Sequence, residues 1–148
     1  AESDSKGYFV PKIKLSENPI KVTNPGIKKV FRLYDKETNK IKADLITLSH
    51  ESINEDEDLE IFDPNATWKR MILKANKFTA RELLVPVFIN GECVHKSCEV
   101  MEIQKYCKEE LDSLWDEHKR LVNPHLMPVD LSLELYNLKQ QLIHEYRD

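Results

Sequence analysis

Cys93, His95, Cys98 and Cys107 come closest to a metal-ligating set in this chain. A strand would place Cys93 and His95, two residues apart, on one face. Zinc sites usually present thiolates as C-x2-C or C-x4-C pairs, whereas the spacing here is C-x-H-x2-C-x8-C. Small apolar fillers are therefore the first expectation for the three thiols, and a metal the lesser one. A cysteine nucleophile would need a histidine within hydrogen-bond reach and a third group to orient it, and no local signature of that kind surrounds any of the three. His118 falls on an apolar helical stripe, where a core or interface histidine is expected. His125, in a linker bounded by prolines, is expected to hydrogen-bond backbone rather than transfer protons. Carboxylates are plentiful, yet no pair singles itself out for acid–base work, so the site expectation is no catalytic, cofactor-binding or metal residue in this chain.

Anion binding is the other chemistry the residue types suggest. Lys28, Lys29 and Arg32, with Lys69, Arg70 and Arg81, could form a basic patch, and the first three follow a Pro25-Gly26 turn. Against this, 22 basic residues face 26 acidic ones, for a net charge of −4, which offers nucleic acid no general attraction. The only glycines, Gly7, Gly26 and Gly91, are too scattered to cradle a phosphate. Solubility and ion pairing are thus the expected roles of these cations. The acidic run EDEDLE at 55–60 reads as a solvated loop, with a cation site the lesser alternative.

These residues must be held by a chain of 148 amino acids, long enough for one domain with its own core. No apolar run approaches the roughly 20 residues of a membrane span, and no leader pattern opens the chain. An odd number of cysteines outside any disulfide pattern predicts a reducing, cytoplasmic setting. The polar start AESDSKG, without Met, predicts an excised piece of something larger, with a secreted, processed protein as the competing reading. Residues 1–10 read as a flexible lead-in or linker, and 11–148 as a single domain.

Proline punctuates the stretch before residue 27, where KIKL and IKV are expected to be short extended pieces lying over the surface. KKVFRLYD and IKADLITLS then alternate across DKETNK, which predicts an antiparallel hairpin. LEIF and ATWKRMILK read as further strands. Asn90-Gly91 predicts a type I′ turn in a second hairpin, whose first arm carries Pro86 and so belongs at an edge or bulge. From Glu99 to Leu121 the period changes to three and four, giving one long amphipathic helix capped by Ser97 and stopped by Pro124. Trp115 sits beside its stripe, as core or as an exposed anchor for a partner. A second helix, capped by Asp130, follows with the stripe Leu131, Leu135, Leu138, Leu142 and Tyr146. Strands first and helices last predict an α+β fold: a mostly antiparallel sheet of short strands and hairpins, packed by two carboxy-terminal helices.

The segments KVTNPGIKKVFRLYD, KADLITL, FDPNATWKRMIL, FTARELLVPVFINGE, YCKEELDSLWDEHKRLVNPH and PVDLSLELYNLKQQL, in that order, resemble the carboxy-terminal domain of long-form nicotinate phosphoribosyltransferases. The resemblance runs from about Pro11 to about Gln141. It implies a parent enzyme of NAD salvage, an ATP-coupled ligase and glycosyltransferase that uses ATP and Mg to make nicotinate mononucleotide from nicotinate and phosphoribosyl pyrophosphate. It further implies that the phosphorylatable histidine and the phosphoribosyl-gripping residues lie in an α/β barrel and an amino-terminal domain. No catalytic residue then transfers to this chain, and His95, His118 and His125 are not that histidine. The implied partner is the barrel domain of the same chain, in a parent homodimer. The competing expectation is a free-standing module that docks a partner through its helices.

Overall fold

A computed structural model describes residues 2–3, 5–18 and 21–147. Near the start, β1 (Glu2–Ser3) pairs antiparallel with β2 (Phe9–Val10) as a separate ribbon. Ile20, first of the expected IKV piece, lies outside the described residues. Around it the chain is pinned by a Lys14–Thr23 pair of hydrogen bonds of 2.9 and 3.3 Å, and Lys139 Nζ donates to Val22 O and Asn24 Oδ1.

Alternation carries directly into the next hairpin, β3 (Lys28–Asp35) and β4 (Ile41–Leu48). Its turn is organised by the Asp35 carboxylate, which accepts from the Glu37 and Thr38 amides and the Thr38 hydroxyl, while Asn39 takes a left-handed φ of 55°. The Lys42 ammonium and those turn donors hold the Asp35 carboxyl far below the usual range. Gly26 precedes the hairpin at φ 80°, and an added Cβ there would meet Leu48 Cδ2 at 2.9 Å, so the Pro25-Gly26 turn is a close approach to the core.

β5 (Leu59–Asp63) and β6 (Ala66–Leu73) form the next antiparallel pair, followed by β7 (Phe78–Glu82). A tiny hairpin, β8 (Phe88–Ile89) and β9 (Glu92–Cys93), turns at Asn90 and Gly91, both with positive φ. It stands apart from the main sheet, with Pro86 in the break after β7. Then come α1 (Val100–Ser113), β10 (Val129–Leu131) and α2 (Leu133–Arg147). The main sheet has the order β6-β5-β10-β4-β3-β7 and is antiparallel except where β10 runs parallel to β4. The α+β architecture expected from the sequence is the one observed.

This sheet is strongly curved. Six strands laid flat would set the outer two about 24 Å apart, at about 4.8 Å per neighbour. Yet outermost β6 and β7 are joined by only residues 74–77, and five chain steps reach at most about 18 Å. Curling brings Leu73 and Phe78 into one cluster with Phe31, Leu33, Ala43, Leu45 and Ile61 on the concave side. The seam is closed by the acidic run read above as a solvated loop. Glu55 accepts the Ala80 amide at 2.7 Å and its carbonyl takes the Asn76 amide, while Asp58 receives Lys74 Nζ and the Ala75 amide. The run is solvated as expected, with Asp56, Glu57, Asp58 and Glu60 exposed, and two of its carboxylates also accept backbone amides at the seam.

Leu48, Leu131 and Leu135 form a second cluster on the convex side, where α2 lies, with Phe62 and Tyr136 ring centroids 5.2 Å apart, edge to face. Two cap expectations are corrected. Glu99, not Ser97, caps α1 through a reciprocal capping box with Glu102. Asp130 and Leu131 are strand residues, and Ser132 Oγ accepts the Leu135 amide at the start of α2. The short strand was invisible because its three residues merge into the helical stripe that follows.

α1 is also shorter than its periodicity, which runs on to Leu121. Leu114 is extended at ψ 144°, and tertiary bonds fix the stop there. Lys40 Nζ donates to the carbonyls of Asp112 and Leu114, and Trp115 Nε1 donates to Ile41 O at 2.8 Å. A cation from the β3–β4 turn thus serves the carbonyl end of a helix whose own last turn has no basic residue.

Candidate functional site

Cross-strand register places Arg32 on β3 opposite Asp44 on β4 and Arg81 on β7. The Arg32 guanidinium grips Asp44 with two bonds of 2.8 and 2.9 Å and reaches Glu110 of α1 at 3.1 Å. Arg81 holds both Glu110 oxygens at 2.8 Å. Its guanidinium also lies 5.3 Å from the Tyr34 ring and 6.0 Å from that of Tyr106. Arg81, Glu110, Tyr34 and Tyr106 border a cleft of about 550 Å³ that also includes Thr79 and Ser113.

Charge in this cluster is balanced, two guanidiniums to two carboxylates. The Asp44 hydrogen bond raises the Arg32 pKa. Burial works against Arg81, but the Glu110 bond leaves it raised as well. Tyr34 is buried with no hydrogen-bond partner for its hydroxyl among the described residues, and burial pushes its pKa up. Neither arginine is left over to bind an anion, and none of these groups is an activated nucleophile. The arrangement fixes the last turn of α1 onto the sheet.

The six cations that could have formed a basic patch are distributed instead. Lys28 Nζ folds back onto the Asn24 and Gly26 carbonyls at 3.0 and 2.6 Å, closing the turn. Arg70 pairs with Glu60 at 2.5 Å on β6, where Lys69 also lies, across the sheet order from β3 and β7. Among the described residues no group of three His, Cys, Asp or Glu is placed to hold a metal. Cys93, Cys98 and Cys107 are all exposed, which corrects their reading as core fillers. His118 stands beyond the end of α1, where its Nδ1 meets His125 O at 2.7 Å, and the His125 amide donates to Glu117 O. Both histidines tie the linker together through backbone, as expected of His125; His118 is not a core residue of a long helix.

Asp130 is a group sequence reasoning assigned wrongly, and its environment is unusual. It is 7% exposed, beside a cleft of about 600 Å³ shared with Asp63 and Lys69. Burial first, and the Asp63 charge second, raise its pKa. The folded state therefore holds this proton to higher pH than the unfolded chain does. Its contribution is full below the unfolded value of about 4 and is lost as pH rises through the folded value. Asp130→Asn is expected to raise Tm at pH 7, with the gain vanishing by about pH 3. Thermal scans at both pH values check this, and a Tm at pH 7 no higher than the parent's would show the carboxylate to be well paired.

A family model described as the nicotinate phosphoribosyltransferase C-terminal domain matches residues 27–139. The chain belongs to that family. The nicotinate phosphoribosyltransferase of Bacillus subtilis (strain 168) is 35% identical over 144 residues, covering 97% of this chain and 29% of the relative. The Caenorhabditis elegans protein of the same name is 31% identical over 134 residues, covering 89% and 23%. The crystal structure of human nicotinic acid phosphoribosyltransferase shares the fold, with a TM-score of 0.73 at 23% identity over 82% of this chain and 24% of that one. This chain thus spans about a quarter of the length of the relatives it matches. The cluster of Arg32, Asp44, Arg81 and Glu110 lies within the matched span, as do β3 to β10 and the first half of α2. Among the described residues no helix is long and apolar enough to cross a membrane.

Proposed function

We propose that this chain is a non-catalytic accessory domain of a nicotinate phosphoribosyltransferase. The parent would form nicotinate mononucleotide from nicotinate and phosphoribosyl pyrophosphate with ATP hydrolysis, in cytoplasmic NAD salvage. The observation that carries the reading is the family match to a C-terminal domain, in a chain about a quarter the length of its relatives. The self-neutralised charges of Arg32, Arg81, Asp44 and Glu110 support it, because they organise a helix on a sheet rather than present a substrate site. ATP and Mg belong to the parent reaction, and no residue of this chain is assigned to them. The remaining partner is the barrel domain of the same polypeptide, within a homodimer.

The purified chain supplied with nicotinate, phosphoribosyl pyrophosphate, ATP and Mg is expected to yield no nicotinate mononucleotide. The full-length polypeptide carrying it is expected to turn over. Product formed by the chain alone would overturn the accessory role, and an inactive full-length polypeptide would overturn the parent activity. One feature favours the second reading, a free-standing module that docks a partner through its helices: the apolar stripe of α1 faces solvent, with Val100 77% and Ile103 55% exposed.

A further inference from the structure

The stretch from Leu84 to Leu111 leaves the sheet after β7 and carries apolar side chains that this domain does not cover. Val87, Phe88 and Ile89 of the β8 arm are exposed, as are Val100, Ile103 and Leu111 along α1. The helical three share one face by their spacing of three to eight residues. Neither β8–β9 nor α1 packs broadly on the sheet. The limb is instead hung at its ends, by the Leu83 amide on Val30 O and by Glu110 between Arg32 and Arg81. Those ion pairs hold the α1 backbone in place while its apolar stripe is left bare. Scattered exposed apolar residues are ordinary, but a hairpin and a helical stripe in succession mark an interaction surface.

We infer that the limb Leu84–Leu111 is the surface on which this domain meets the remainder of its own polypeptide. This rests on the accessory-domain reading above. The occupant follows from length: the relatives that align along nearly all of this chain carry it as 29% and 23% of themselves, so a body more than twice its size is joined to it in each. A covalently joined neighbour is present at high effective concentration, which suits an amphipathic surface interleaved with Glu99, Glu102 and Lys105 rather than a purely apolar one.

The limb contains all three cysteines, Cys93, Cys98 and Cys107, each exposed in the chain alone. Their rates of modification by a charged maleimide, read peptide by peptide by mass spectrometry, report coverage directly. Cys93 and Cys107 are expected to react on the order of ten-fold more slowly in the full-length enzyme than in the chain alone. The pair Phe88→Glu and Ile103→Lys should leave the Tm of the isolated chain unchanged, since both sites are exposed, and should restore fast labelling in the full-length enzyme. Equal labelling in a full-length enzyme that is active overturns the surface assignment and leaves the accessory role standing. Protection that grows with concentration in the isolated chain would assign the limb to a second copy and overturn the inference. An inactive full-length polypeptide is a separate result, which overturns the parent activity proposed above and leaves the surface assignment standing where the limb is still protected.

Discussion

Phe78→Ala is expected to lose about 3–5 kcal/mol of unfolding free energy, a large part of the about 5–15 kcal/mol available to a domain. Phe78 is fully buried on the concave side of the sheet and belongs to outermost β7. Its ring joins Leu73 of the opposite edge strand through the cluster that also holds Leu33, Ala43, Leu45 and Ile61. Removing it opens a void where the curved sheet meets itself, and the polar bonds of Glu55 and Asp58 at the rim cannot fill that volume. Urea unfolding of parent and variant, with linear extrapolation, measures the loss. A change below about 1.5 kcal/mol would mean that the seam collapses freely around the gap, against the fixed geometry argued for it.

Arg32→Met is expected to cost about 2–3 kcal/mol, below the about 3–5 of a fully buried pair because these groups keep some solvent contact. The side chains of Arg32, Asp44 and Glu110 are 24%, 14% and 21% exposed. Without the guanidinium, two carboxylates from β4 and α1 are left facing each other, with Arg81 alone to offset them. The damage is directional, because Glu110 is one of the few bridges between α1 and the sheet. Amide exchange in the last two turns of α1 should therefore quicken more than in α2, which is held by Leu135 and Leu131. Arg32→Lys restores charge but not the two-pronged grip on Asp44, and should fall between. Uniform exchange changes in both helices would show that Arg32 serves general stability rather than α1.

The hairpin of β3 and β4 was legible residue by residue. Alternation along β4 puts Ile41, Ala43, Leu45 and Thr47 on one face, and all four are buried, while Leu48 on the other face is buried with Leu131 and Leu135. The same register, with the DKETNK turn, places Arg32 opposite Asp44, so half of the charge cluster could have been paired on paper. Glu110 could not, since nothing local tells one glutamate on a charged helix face that two arginines await it. Likewise β6 alternates, but as an edge strand it buries little between Ala66 and Leu73, and Trp68 stays 79% exposed. The helical period through Leu121 was real as a pattern, yet Lys40 and Trp115 end the helix through partners more than 70 residues away. Long-range caps leave no trace in local periodicity. The site expectation was limited for the same reason: residue types were visible, while the pairing of Arg32 and Arg81 with Glu110 depended on strand order and on where α1 lies.

β10 has a consequence for synthesis. This three-residue strand is inserted between β5 and β4, near the middle of the main sheet, although it follows β5 by more than sixty residues in the chain. While the ribosome is still extending the α1 segment, β4 and β5 each present an open ladder edge to the cell. The slot closes only when residues 129–131 have emerged and the following leucines of α2 can settle over them. A nascent chain of this kind passes through an interval in which two backbone rows invite mispairing, and chaperone dependence should concentrate in that interval.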